Sequence, residues 1–305
     1  MSSPALATSD SAARRVVRAA PWCALAYGLG LYAASRLEVP TLPVAMALTG
    51  VVYLVFPALL LVASAGLAIV ALPRVAEPAL LALGTGAWYA LTHVPGKTLP
   101  PWAAAGAAVA MIVAVSGLAR VLVTWVLREK NLLPVALVLM GLVDVWGVTV
   151  GFTAQMLTTS PETVAKASAS LPGIACKALP PGVHLPDLSI GPGDILFIAL
   201  VLTMAARHGM GLRRNMVWMY ALILVALAAV IVLPVAIPGL VFVAAAGLLA
   251  NRGQWTYTSE ERRSLAVAAA VALPLLVLVG LRWHATHPPP APAAQGDEAS
   301  DGKRD

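Results

Sequence analysis

The chain has 305 residues, of which 60% are hydrophobic and only 11% charged, and its mean hydropathy is +0.85. These values exclude an ordinary soluble enzyme and leave no stretch for a sizeable soluble domain. The net charge of +6 is no nucleic-acid footprint, because the arginines gather at the ends of apolar runs, as topology determinants do. The lipid bilayer is the expected partner, and no nucleic acid is.

Residues 1–19 place Arg14, Arg15 and Arg18 before the first apolar segment, in the manner of a secretory signal. No small-residue cleavage site follows and the next segments are equally apolar, so an uncleaved first span is expected. Windows of about 20 apolar residues place helices near 20–36, 43–72, 77–93, 101–127, 132–157, 191–207, 215–234, 236–250 and 264–282. The second is long enough to kink at Pro57 or to be two shorter segments. Pro234 and Pro238 break the seventh from the eighth. Small residues in the fourth, as in AAAGAAVAM, suit close helix packing.

One alternating set of helix ends carries Arg14, Arg15 and Arg18, then Arg74, then Arg128 and Lys130, then Arg207, Arg213 and Arg214, then Arg252, Arg262 and Arg263. That set is assigned to the cytoplasm. The opposite set has only Arg36, Lys97 and, diluted through a loop of about 158–190, Lys166 and Lys177. The expected fold is all-α, a polytopic transmembrane helical bundle of about nine spans, in a prokaryotic plasma membrane with its N-terminus cytoplasmic. Residues 1–19 form the N-terminal segment, 20–131 the first helices, 132–250 the core, 251–283 a cytoplasmic loop and the last span. Residues 284–305, proline-rich and then polar, read as a disordered tail.

Two acids lie where lipid tolerates them least. Asp144 sits inside NLLPVALVLMGLVDVWGVTVGFTAQML, and Asp194 follows two glycines in SIGPGDILFIALVLTMAARHGM. A carboxylate there costs roughly 2.5–3.5 kcal/mol on insertion scales, so each needs a partner, a water-filled cavity or a chemical task. Fifty residues separate them, with one loop between consecutive antiparallel helices, so they can partner each other at one depth. Two carboxyl groups within hydrogen-bonding distance cannot both ionise cheaply and share a proton. The charged member then deprotonates a water while the neutral member protonates the carbonyl oxygen under attack. That is amide hydrolysis without metal, cofactor or covalent intermediate. Gly191 and Gly193 remove side chains just before Asp194, so a foreign backbone can approach and an extended substrate segment can pair there.

Single residues admit plainer readings. Asp194 after Gly-Pro-Gly also suits a helix N-cap, Asp144 alone suits a proton relay or an interhelical hydrogen bond, and Pro238-Gly239-Leu240 suits a helix break. His284 and His287 have HxxH spacing without an acidic partner nearby, and His184 and His208 lack a ligand set. Cys23 in a span and Cys176 in a polar loop indicate neither a disulfide nor a metal site. In the loop between the acids, Val164, Ala167 and Leu171 form one face that can rest at the interface while Glu162 and Lys166 stay wet. This reads as a lid or as an ordinary linker.

Taken in order, Asp144 in LVDVWGV, Gly191-Pro192-Gly193-Asp194 and Pro238-Gly239-Leu240 resemble the signatures of the presenilin and signal peptide peptidase family of intramembrane aspartyl proteases. Those signatures are an aspartate in one span, GxGD in the next and Pro-Ala-Leu further on. The resemblance covers about residues 132–250. It implies a presenilin-like core, Asp144 and Asp194 as the catalytic pair, and substrate-binding roles for Gly191, Gly193, Pro238, Gly239 and Leu240, with no metal or cofactor. Transmembrane proteins or signal peptides that unwind locally are the implied substrates, since a helix hides its carbonyls. Val143 stands where the family usually has Tyr, Gly239 where it has Ala, four spans rather than five precede Asp144's, and an additional span follows the third motif. Prepilin peptidases also use GxGD, but typically followed by a lysine where Ile195 stands here. A proton-coupled transporter with Asp144 as relay, or a structural membrane protein, is the other reading. Oligomeric state and accessory subunits have no signal in the sequence.

Overall fold

A computed structural model describes residues 11–95, 99–149, 168–171, 173–177, 188–232 and 238–286, with isolated positions 155, 159 and 166. Among the described residues, one helix falls in each apolar window. These are α1 (Ser11–Ala34), α2 (Leu42–Ile69), α3 (Ala76–Thr92), α4 (Pro101–Trp125), α5 (Leu132–Thr149), α6 (Pro192–Arg207), α7 (Leu212–Val232), α8 (Gly239–Ala250) and α9 (Ser259–Thr286). Three of them, α2, α4 and α7, are long and apolar enough to cross a membrane, while α5 and α8 are shorter apolar helices.

The boundaries differ from the expected ones for local reasons. The described part of α1 reaches back to Ser11, within the segment expected to precede the first span, because SAARRVVRAA is rich in strong helix formers. The helix α2 is continuous through a buried Pro57 rather than two segments. Pro238 is the N-cap of α8, so that helix begins at Gly239 instead of three residues earlier. The described part of α5 ends at Thr149, and Pro234, Lys97, His184 and His287 lie outside the described residues, as does nearly all of the expected tail.

The chain is not purely helical. Between α1 and α2 lies β1 (Glu38–Val39), and the long segment before α6 holds β2 (Ala169–Leu171), β3 (Ala175–Cys176) and β4 (Leu188–Ile190). The first pairs with β3 in parallel, and β2 pairs with β4 antiparallel, Ala169 opposite Ile190 and Leu171 opposite Leu188. Leu171, expected to rest at a lipid interface, is instead fully buried, as is Ile174, whose N–H donates to Thr49 Oγ1 at 2.9 Å. Cys176 is buried in β3 rather than lying in an open polar loop, and both cysteines are free. The described part of this segment is thus packed structure.

The residues up to Thr258 form one compact unit and Ser259–Asp305 a second. In the first, α6 is buried on nearly every side through Ile195, Ile198, Val201, Leu202 and Met204. A helix apolar all round belongs in the middle of a bundle. The helices α3 and α4 lie with their backbones in contact, since a methyl group at Gly84 would meet the backbone of Ala114 and one at Gly117 would sit 2.6 Å from Leu81 N. Residues after α8 belong to the first unit, with Asn131 Nδ2 donating to the Thr256 carbonyl at 2.7 Å and the Tyr257 hydroxyl donating to the Asn131 carbonyl at 2.9 Å. The second unit contributes α9, with Glu260 and Glu261 in its first turn and Pro274 inside it.

Candidate functional site

Asp194 stands at the third position of α6, after the N-cap Gly191, Pro192 and Gly193. It is therefore not the cap itself. Its carboxylate reaches back to accept the Gly191 N–H at 3.1 Å, satisfying a donor that the helix leaves unpaired. Gly191 thus holds the acid in place, a role beyond the expected one of admitting a substrate backbone. A methyl group at Gly193 would meet nothing within 4 Å, so the space beside this residue is open.

Asp144 lies near the described end of α5 and is half-buried. Its Oδ2 accepts the Leu240 N–H at 2.8 Å. This donor is in the first turn of α8 and has no partner within the helix, so the third sequence motif is tied directly to the first. Gly239 supplies the other link. A methyl group there would stand 3.0 Å from Asp194 Oδ1, which places that carboxyl against the glycine's bare α-carbon. Both acids therefore touch the same dipeptide, Gly239-Leu240, and the covalent geometry of one peptide unit keeps their nearest oxygens within about 10 Å of each other.

Beside Asp194 is an apolar cavity of about 190 Å³ between β4, α6, α7 and α8, with Ile190, Ile198, Leu227, Gly239 and Phe242 in its wall. One edge of β4 pairs with β2, and among the described residues no strand covers the other. Pro238 and Leu240 are half-buried at the start of α8. Six of the seven residues singled out in the sequence thus lie at the N-termini of α6 and α8, and the seventh, Asp144, lies on α5 and meets them there. Val143, next to Asp144, is exposed.

A second polar cluster was not anticipated. Arg120 of α4 is buried, pairs with Glu77 of α3 at 3.4 Å, and donates through Nη1 to the carbonyls of Leu67, Ala68 and Val70 at 2.7, 3.2 and 3.0 Å. Thr124 donates to Glu77 Oε2 at 2.7 Å and accepts from Arg207 Nη1 at 2.8 Å. The signal was available, because Arg120 interrupts the apolar run MIVAVSGLARVLVTW as Asp144 interrupts its own. His284 falls in the last turn of α9.

No protein-family model matches this chain, and no curated protein or solved structure is detectably similar to it.

Proposed function

We propose that the protein is an intramembrane aspartic endopeptidase with roughly nine spans, in which Asp144 and Asp194 share a proton and activate a water against a peptide carbonyl. The observation that carries this reading is the convergence of both carboxyl groups on Gly239-Leu240, three motifs far apart in sequence meeting at one point. The hydrogen bonds from Leu240 and Gly191 each occupy one carboxyl oxygen. A remaining oxygen of each acid is then available to hold a water and the carbonyl it attacks.

The apolar cavity beside Asp194 suits a hydrophobic side chain of a transmembrane or signal-peptide substrate. The uncovered edge of β4, which ends four residues before Asp194, offers backbone partners to a substrate strand. Pairing of that kind holds a locally unwound segment and presents its carbonyls, which a helix conceals. Pro238 fixes the start of α8, and Gly239 keeps the space between acid and backbone free of a side chain.

The test is cleavage of a reconstituted transmembrane reporter. Replacing Asp144 or Asp194 with Asn or Ala abolishes cleavage, and the double substitution is scarcely worse than either single one, because both acids serve one proton cycle. Cleavage also declines at high pH, where the shared proton is lost, and chelators leave it unchanged. Unimpaired proteolysis by the Asp194→Ala protein would overturn the mechanism. Proton flux without proteolysis, lost on Asp144→Asn, would instead favour the relay of a transporter.

A further inference from the structure

The loop after α2, the last turn of α4 with the residues following it, and the C-terminus of α6 surround a cavity of about 190 Å³. Arg74, Thr124, Trp125, Arg128 and Arg207 line it. That is room for a phosphate group and several waters at about 30 Å³ each. Among the described residues, no acidic side chain lines it. The nearby carboxylate, Glu77, is already engaged by Arg120 and Thr124. Thr124 in turn accepts from Arg207, which fixes that guanidinium at the cavity wall.

Among the described residues, neither Arg74, Arg128 nor Arg207 forms an ion pair. Three guanidinium groups from three separate parts of the chain thus border one cavity without compensation. Beside Arg207, burial first, and then the charges of Arg207 and Lys130, hold His208 below its ordinary pKa. Such a charge cluster repels itself until an anion enters.

We propose that this cavity binds a phosphate group, supplied either by the headgroup of an anionic phospholipid or by a soluble phosphate. Guanidinium forks match phosphate oxygens two at a time, and basic pockets between spans on the cytoplasmic side are suited to lipid headgroups. Trp125, 56% exposed beside the site, is at the headgroup depth that tryptophan favours, a point that rests on the membrane reading above. Arg207 ends the helix that Asp194 begins, so phosphate at one end bears on the element that positions the acid at the other, about 20 Å away.

The full chain in neutral detergent is titrated with dihexanoyl-phosphatidylglycerol, dihexanoylglycerol and inorganic phosphate, and binding is read by thermophoresis. Saturable binding of the phosphatidylglycerol is expected, with none of the phosphate-free lipid. Arg74→Gln and Arg128→Gln each weaken it at least about tenfold, the equivalent of one charge-assisted hydrogen bond. Arg252→Gln, which alters an exposed arginine outside the cavity, does not. Arg74 and Arg128 are exposed and make no hydrogen bond among the described residues, so these variants retain the helical circular dichroism of the parent. Displacement of the lipid by millimolar inorganic phosphate identifies a soluble source, and resistance to it identifies the lipid. Absence of saturable binding by both phosphate probes, or equal binding by Arg74→Gln, Arg128→Gln and the parent, overturns the proposal. The measurement involves no cleavage, so it stands apart from the proteolytic reading.

Discussion

At the scale of single residues, Gly239 is the glycine at which an added side chain would press directly on Asp194. A methyl group 3.0 Å from Asp194 Oδ1 obliges the carboxyl to move by a few tenths of an ångström, and a branched side chain obliges it to move much further. On the proposed mechanism, Gly239→Ala therefore lowers cleavage only several-fold, whereas Gly239→Val, displacing the acid by about 1 Å, costs about a hundredfold; reporter cleavage with circular dichroism as a folding control measures both. Glu77 makes a different prediction. Its removal strands Arg120 in a buried site, so Glu77→Ala lowers stability by about 3 kcal/mol in reversible unfolding from mixed micelles, while Glu77→Gln, which still accepts from Thr124, costs less. The acids and glycines of the site were legible because a charge in an apolar run and GxGD are local signals. The Leu240 N–H that Asp144 finds was not, since the pair is 96 residues apart and one partner is a backbone group.

Helices were legible as elements because each fills an apolar window, and their ends were less so because capping and propensity decide them. The strands escaped notice for a plain reason. Two or three residues cannot display a period of two, and β2 and β4 exist through tertiary pairing alone. One contact between elements is equally nonlocal and more consequential for stability. Asn215 of α7 and Asn251, the C-cap of α8, are fully buried and exchange amide hydrogen bonds of 3.1 and 2.7 Å. Each also donates within its own neighbourhood, Asn215 to Met210 and Gly211, Asn251 to Gly247. Asn251→Ala leaves Asn215 short of partners and lowers stability by about 1–3 kcal/mol, whereas the exposed Arg252→Ala leaves it unchanged, as a thermal melt in detergent will record.

For the whole molecule, the orientation proposed from the arginine distribution puts the segment between the acids outside and the basic cavity inside, and labelling tests it. Single cysteines at Ser170 and Ser300, introduced after Cys23 and Cys176 are replaced, are labelled by an impermeant maleimide in intact cells; labelling only after permeabilisation reverses the orientation. The direction in which the chain is made adds a constraint of another kind. Every partner that Arg120 uses, namely Leu67, Ala68, Val70 and Glu77, has already left the ribosome when Arg120 emerges. Asp144 has no such provision, for its donor is synthesised 96 residues later. During that interval the carboxyl lacks the donor that α8 supplies, and an unpartnered carboxylate within an apolar span is costly. A nascent chain stopped after Val232 is accordingly degraded faster than the complete one in a pulse-chase experiment, and Asp144→Leu lengthens the life of the stopped chain but not of the full-length protein. Equal lifetimes for the stopped chain with and without Asp144 would show that the wait carries no penalty. If instead the stopped chain is lost faster through Asp144, the residue proposed to cut other proteins is, until α8 arrives, the one that marks its own chain for destruction.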